Sequence, residues 1–357
     1  RVNLMSDDNL LIDATTKIFE DLCDPQNINA AKDDSWKQLL WKALEESGLT
    51  SAWVPEKFGG AGASISDGFS IIEVASKFAV PIALPETLLA GWLLSRANIN
   101  IPDGMMAVAP TRPRDKLTIN SNGTLSGQAR GVPFASDADH VVAALEDTGS
   151  TKVALIARNS CEIKPSSGLS GDPRDTVLFD NADAISLQEL EGDLSYRSVQ
   201  LMGATIRSVQ IGGALMAILE LATEHAKTRV AFEKPIAKFQ AVQHNLARLA
   251  NETAAAVAVA SSAADTMSNS SDNDEAIFFE ASSAKIRTGE AVGEGTAIAH
   301  QVFGAIGFTE EHILHRFTQR LWDWRDDFGS ESEWAVELGE LIAKNGPEEL
   351  WPLLTTR

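Results

Sequence analysis

The sequence predicts a mainly helical α+β protein in three parts: an N-terminal helical domain, a small β-barrel in the middle and a C-terminal four-helix bundle. Three observations carry that prediction. Apolar residues recur at helical spacing on both flanks of the chain. Between the flanks, short apolar stretches alternate with turn signals. The 357 residues, 44% of them hydrophobic, supply a large core and exceed what one compact domain usually holds.

Residues 6–100 form the predicted N-terminal helical domain. Trp36, Leu39, Leu40 and Leu44 share one helical face, and Ile71, Ile72, Val74 and Ala75 another. Between them, Pro55 and the glycines of Val54-Pro55-Glu56-Lys57-Phe58-Gly59-Gly60-Ala61-Gly62 stop regular structure. Residues 101–190 form the predicted β domain. Met105–Val108, Val141–Leu145, Val153–Ile156 and Val177–Phe179 read as strands, and Asn120–Gly123, Asp147–Ser150 and Ser166–Gly168 as turns between strands. Residues 191–357 return to helix. Leu201–Arg229 is a long apolar stripe without proline, Phe239–Met267 is alanine-rich, Ser268–Asp274 is a polar loop, and Glu275–Phe303 and Trp334–Ile342 are further helices. Helices of this length pack as an antiparallel bundle.

The charge is one-sided: 50 acidic against 30 basic residues, a net of -20. Such a chain repels phosphate backbones and anionic headgroups, so neither nucleic acid nor a membrane surface is an expected partner. A local basic patch for a phosphate-bearing small molecule is compatible with that balance. No apolar run reaches the ~20 residues of a bilayer crossing. Cys23 and Cys161 have neither metal-ligand spacing nor a disulfide framework, which points to a reducing cytoplasm. Met5 reads as the natural start, preceded by four vector-derived residues. His312 and His315 stand three apart beside Glu310 and Glu311, but the sequence specifies no third ligand, so no metal is expected.

Three motifs give the chain a resemblance. The loop around Pro55–Gly62 is similar to the "PE-x-[YF]-GG-x-G" loop of the acyl-CoA dehydrogenase family. Arg229-Val230-Ala231-Phe232-Glu233-Lys234-Pro235-Ile236-Ala237-Lys238-Phe239-Gln240 resembles that family's "R-x-x-F-G-x-x-[IL]-x-x-[FH]-Q", with Glu233 where the family has glycine. Gln301-Val302-Phe303-Gly304-Ala305-Ile306-Gly307-Phe308 resembles its "Q-x-x-G-G-x-G-[FY]" segment. The resemblance implies FAD as cofactor. Arg229, Phe232, Gln240, Gln301, Gly304 and Gly307 would line it, in part across a subunit interface, with Phe134 and Ser330 as further contacts. Guanidinium donors suit a pyrophosphate, and small residues allow close backbone approach. It also implies an acyl-CoA thioester substrate, a flavoprotein electron acceptor, and a homo-oligomer or a heterotetramer with a homologous subunit.

The family reaction is α,β-dehydrogenation, in which a carboxylate removes the α proton while hydride passes to the flavin. The usual base is the Glu of "[YF]-E-G-[TS]". Here the matching segment is Asp327-Phe328-Gly329-Ser330, and Phe328 stands in the glutamate position. An alternative base position on an earlier helix falls near Gly203 and carries no acid. The family's "T-E-P-x-[AG]-G-S-D" motif is also missing, replaced by Val108–Asp115.

Several readings follow. The chain is a FAD-dependent dehydrogenase with a displaced base, Asp327 or Asp326. Alternatively those acids are solvated or paired near Arg320 and Arg325, and the chain is a base-less subunit that pairs with a catalytic homologue. Such pairs exist in the family, notably for steroid side-chain thioesters. A non-enzymatic acyl-CoA-binding protein and an Asp-based flavin enzyme for a non-CoA substrate are further alternatives on the same fold.

Overall fold

The computed structural model describes residues 7–24, 28, 31, 33–192, 194–270 and 275–355. Among the described residues, four helices come first: α1 (Asp7–Leu22), α2 (Ser35–Glu46), α3 (Ile65–Ser76) and α4 (Leu84–Arg96). Ser64 and Asp67 start α3 with a reciprocal capping box: Asp67 N donates to Ser64 Oγ at 3.0 Å, and Ser64 N to Asp67 Oδ2 at 2.9 Å. Pro85 sits in the first turn of α4, where a missing N–H breaks no helical bond. Every residue of α4 from Leu84 to Ser95 is buried. The glycine-rich loop between α2 and α3 folds back on itself, with Gly62 N donating to the Val54 carbonyl at 2.9 Å. A side chain at Gly60 would collide with the Val54 backbone, so that glycine serves close packing.

Eight strands follow, in two sheets. The first has the order β1 (Met106–Ala109), β4 (His140–Asp147), β5 (Ser150–Ala157), β8 (Ser186–Glu189). The second has the order β2 (Leu117–Ile119), β3 (Leu125–Pro133), β7 (Arg174–Ala182), β6 (Glu162–Lys164). All these pairings are antiparallel except the parallel β1–β4 pair. The small barrel thus takes the form of two four-stranded sheets around one core. Strand alternation divides the first sheet between two neighbours. Ala107, Ala109, Val141, Ala143, Ala154 and Ile156 face the second sheet, while Met106, Val108, Val142, Ala144, Val153 and Leu155 join the helices. Sheet faces buried on both sides explain the continuous apolar runs that marked these strands.

The remaining helices are α5 (Tyr196–Thr228), α6 (Gln240–Asn269), α7 (Glu275–Phe303), α8 (Leu314–Asp326), α9 (Glu331–Asn345) and α10 (Leu350–Thr355). The long helices α5, α6 and α7 pack together, and α8 covers α5 and α7. Helix α5 is buried without interruption from Leu201 to Leu215, as befits the centre of a bundle. It is also long and apolar enough to cross a membrane, yet 89% of its most apolar window is buried inside the protein. Scattered Ser, Thr and Gln residues hide that length from a search for unbroken apolar runs. One core cluster contains Trp53, Leu89, Val108, Ile206, Phe328 and Trp334, so the first helices, the first sheet and the bundle are packed as one body around Phe328.

Candidate functional site

The turn from α8 to α9 sits at the junction of all three parts. Two carbonyls at the end of α8, those of Trp324 and Arg325, accept from the buried Lys285 Nζ on α7, at 3.5 Å for Trp324. Burial lowers the Lys285 ammonium to about 8, against the opposing pull of Asp327 and Asp326. Phe328 and Gly329 then take left-handed backbone, φ 55° and 97°. Ser330 caps α9 in a second capping box with Glu333. The Phe328 backbone is held on both sides: its N–H donates to the Thr111 carbonyl at 3.2 Å, and its carbonyl accepts from Trp334 Nε1 at 2.9 Å.

These bonds aim the Phe328 ring at Gly203 on α5. The ring lies where a side chain at 203 would begin, so any Cβ there would overlap it. Position 328 and the neighbourhood of Gly203, which the resemblance pointed to as carboxylate positions, are therefore neighbours in space, and one phenyl ring fills the gap between them. The cavity bounded by Leu89, Val108, Thr111, Pro133, Ile206 and Phe328 holds about 10 Å³. That admits a single water at most.

Beside the ring lies a buried ion-pair network. Arg207 on α5 is 2% exposed. Its Nη2 is 2.6 Å from Glu86 Oε1 on α4, its Nε is 3.0 Å from Asp327 Oδ2, and it also bonds Gln210. Arg174, at the start of β7, grips both oxygens of Asp327, at 2.5 and 3.0 Å. Burial alone would push the Asp327 carboxyl up, but Arg174 and Arg207 outweigh it and hold it below the usual carboxylate range. Asp323, one turn earlier on α8, accepts from Leu169 N and Ser170 N, each at 3.0 Å, and from Ser170 Oγ at 2.7 Å. Arg320 reaches Asp172 at 2.7 Å. These contacts clasp the β6–β7 loop onto α8. Of the expected acid–arginine pairs, only Asp326 with Arg325 forms, loosely, at 3.6 Å. Asp327 turns inward to Arg174 and Arg207.

Outside the clasp, a crevice of about 1080 Å³ separates the sheets from α8 and α9. Ser330, Asp326, Arg112, Arg114 and Trp322 line it. Phe134 does not. It is 7% exposed and lines a nearly closed space of about 20 Å³ with Glu86, Gln210 and Trp324.

The other expected cofactor residues gather at the opposite end of the bundle. The end of α5, the start of α6 and the end of α7 meet there, with His225 stacked on Phe303 at 4.3 Å. Arg229 ends α5 and is exposed, and its guanidinium has no partner among the described residues. Phe232 is 90% exposed, and Gln240, Gln301 and Gly304 are exposed as well. Phe232 and Glu233 form the tip of a two-residue hairpin with φ 50° and 65°. That left-handed backbone gives the family's glycine at position 233 a steric reason. Gly304, φ 67°, has nothing within 4 Å of where a Cβ would stand, so its backbone is open to an approaching ligand. Gly307 is different: it is buried, and a Cβ there would press on Phe303 and Leu314 at 3.0 Å. From Arg207 to Arg229 the distance along α5 is roughly 33 Å at the helical rise.

Arg207, Glu86 and Arg174 belong to none of the sequence motifs. Arg207 carried a signal, since it is the one charged residue between Ser198 and Leu219. A lone arginine inside a buried stripe demands a buried carboxylate.

Comparison with known proteins bears on these observations. The model of the acyl-CoA dehydrogenase N-terminal domain matches residues 6–97, and that of the C-terminal domain residues 201–321, together more than half of the chain. The chain is 28% identical over 294 residues to the acyl-CoA dehydrogenase IpdE2 of Mycobacterium tuberculosis, covering 81% of this chain and 82% of that one. In fold it is similar to the ChsE4-ChsE5 complex from Mycobacterium tuberculosis, with TM-score 0.84, 17% identity, and coverage of 95% of this chain and 98% of the other. It is likewise similar to an acyl-CoA dehydrogenase of Bacillus anthracis solved in complex with FAD, with TM-score 0.78, 20% identity, and coverage of 99% and 69%.

Proposed function

The chain belongs to the acyl-CoA dehydrogenase family, whose cofactor is FAD, and from that premise we propose that it is the non-catalytic subunit of a heteromeric acyl-CoA dehydrogenase. A catalytic homologue supplies the base and the flavin crevice. This chain lends Arg229, Phe232, Gln240, Gln301 and Gly304 to the cofactor held by its partner. The assembly dehydrogenates an acyl-CoA thioester in the cytoplasm and passes electrons to an acceptor flavoprotein. Bound FAD supplies the hydride acceptor.

The observation that carries this reading is the Phe328 ring seated against Gly203. The ring lies where a side chain at 203 would begin, and the cavity beside it, about 10 Å³, is too small for an acyl chain, which supports a chain without a catalytic carboxylate. Asp327 is a poor base by the same geometry. Both its oxygens are taken by guanidinium groups, and its low pKa opposes proton uptake near neutrality. The exposed Arg229, without a partner among the described residues, and the open Gly304 suit a cofactor approaching from outside the chain. The two-chain ChsE4-ChsE5 neighbour supports a pairing of this kind.

The test is Arg229→Ala in the co-expressed pair. Removing a charge-assisted contact of about 2 kcal/mol should weaken FAD retention by more than about tenfold, with both chains still associated. Flavin content equal to that of the unaltered pair contradicts the assignment.

A further inference from the structure

We infer that a second cavity, across the β6–β7 loop from the crevice, is a binding site for a small organic acid that carries one carboxylate on a flat apolar body. The inference is independent of the proposed function.

The cavity holds about 540 Å³, within the range of small-molecule sites. Helix α8, the start of α2, Pro81 and the β6–β7 loop enclose it. Arg316 and Arg320 stand one turn apart on α8, and both line it. Like charges at that spacing repel, and the acid bound to this pair is Asp172, which accepts from Arg320 Nη2 at 2.7 Å. Arg320 is 5% exposed. Its Nη1 donates to the Arg316 carbonyl at 3.0 Å, and its buried Nε has no hydrogen-bond partner among the described residues. Arg316 is half-buried, and its guanidinium has no partner among the described residues either. Burial and the neighbouring Arg320 lower its pKa, against an opposing pull from Asp172. The amide of Gln319 and the indole N–H of Trp36, both half-buried, line the same cavity and likewise lack partners among the described residues. Donors shielded from water and left unmade are costly, so this group calls for an acceptor brought in from outside. A guanidinium fork with an amide and an indole N–H suits a carboxylate, and Trp36, Pro81 and Pro173 supply apolar surface for its body. The rim limits the ligand's charge. Asp33 accepts from Ser35 N at 3.0 Å and Asp34 pairs with Lys37 at 2.9 Å, yet both stay negative, and the exposed Glu310 adds a third acid. A monoanion meets less repulsion there than a phosphate dianion.

The experiment is an NMR titration of the full chain that follows the Trp36 indole N–H resonance, assigned through Trp36→Phe. Benzoate should shift that resonance saturably, with a dissociation constant on the order of 1 mM. Inorganic phosphate should bind at least about tenfold more weakly. Arg316→Gln should lose at least about tenfold in benzoate affinity at an unchanged melting temperature, because that guanidinium holds no other described residue in place. Arg248→Gln, on the exposed face of α6, should bind benzoate like the unaltered chain. The absence of a saturable shift, or equal benzoate affinity in R316Q, overturns the inference. An equal loss in R248Q overturns it as well, because the anion is then drawn by general charge and not by this cavity. Phosphate that binds as tightly as benzoate overturns the assignment to a carboxylate.

Discussion

Asp327→Asn should lower the free energy of unfolding by about 3 kcal/mol. The substitution keeps the shape of the side chain and removes its charge. It leaves Arg174 and Arg207 buried beside a neutral amide, with Arg207 still paired to Glu86 but Arg174 left with only the 3.7 Å contact to Asp323. A shift of the urea midpoint at constant slope is the measurement. The loss should also depend on pH in one direction. The folded-state pKa of Asp327 is depressed, so its stabilisation is complete above the ordinary aspartate value near 4 and fades as the pH falls through the folded value. Unaltered protein and variant should therefore converge in stability on acidification. In the assembled enzyme, the same variant should keep its turnover per folded complex. A specific loss of turnover with stability intact would make Asp327 the base after all.

Phe328→Ala should cost about 3–4 kcal/mol, because it empties a fully packed site between α5 and the first sheet. Gly203→Ala should cost about 1–3 kcal/mol by overpacking the same ring. Together the two changes should be less damaging than their sum, since the methyl at 203 moves into space the ring has left. A double-mutant cycle in denaturant reads that coupling directly. Additive losses would show that the ring does not occupy the Gly203 surface.

Much of the fold was legible because its signals are local. The apolar stripe of α5, the alanine-rich α6 and the span Glu275–Phe303 follow from periodicity and an absence of breakers. The strands were legible as apolar runs between turns, but their division into two sheets was not. Pairing depends on partners far apart in sequence, such as the parallel contact of Met106 with His140. The exposed half of the candidate site, Arg229 to Gln240 and Gln301 to Gly304, was legible as motif. The buried half was not. Sequence placed Phe328 and Gly203 as two separate absences, and only packing turned them into one filled space. Asp327 illustrates the same limit: its partners, Arg174 and Arg207, lie more than a hundred residues away and belong to no motif.

On the proposed function, this chain contributes to a flavin site without running the reaction itself. The most direct measurement is the flavin absorbance of the purified chain, alone and co-purified with a catalytic homologue, before and after acyl-CoA is added. The expected result is no flavin band for the chain alone, and a band in the pair that bleaches with the thioester. A chain that is yellow on its own and bleached by acyl-CoA without a partner would contradict it.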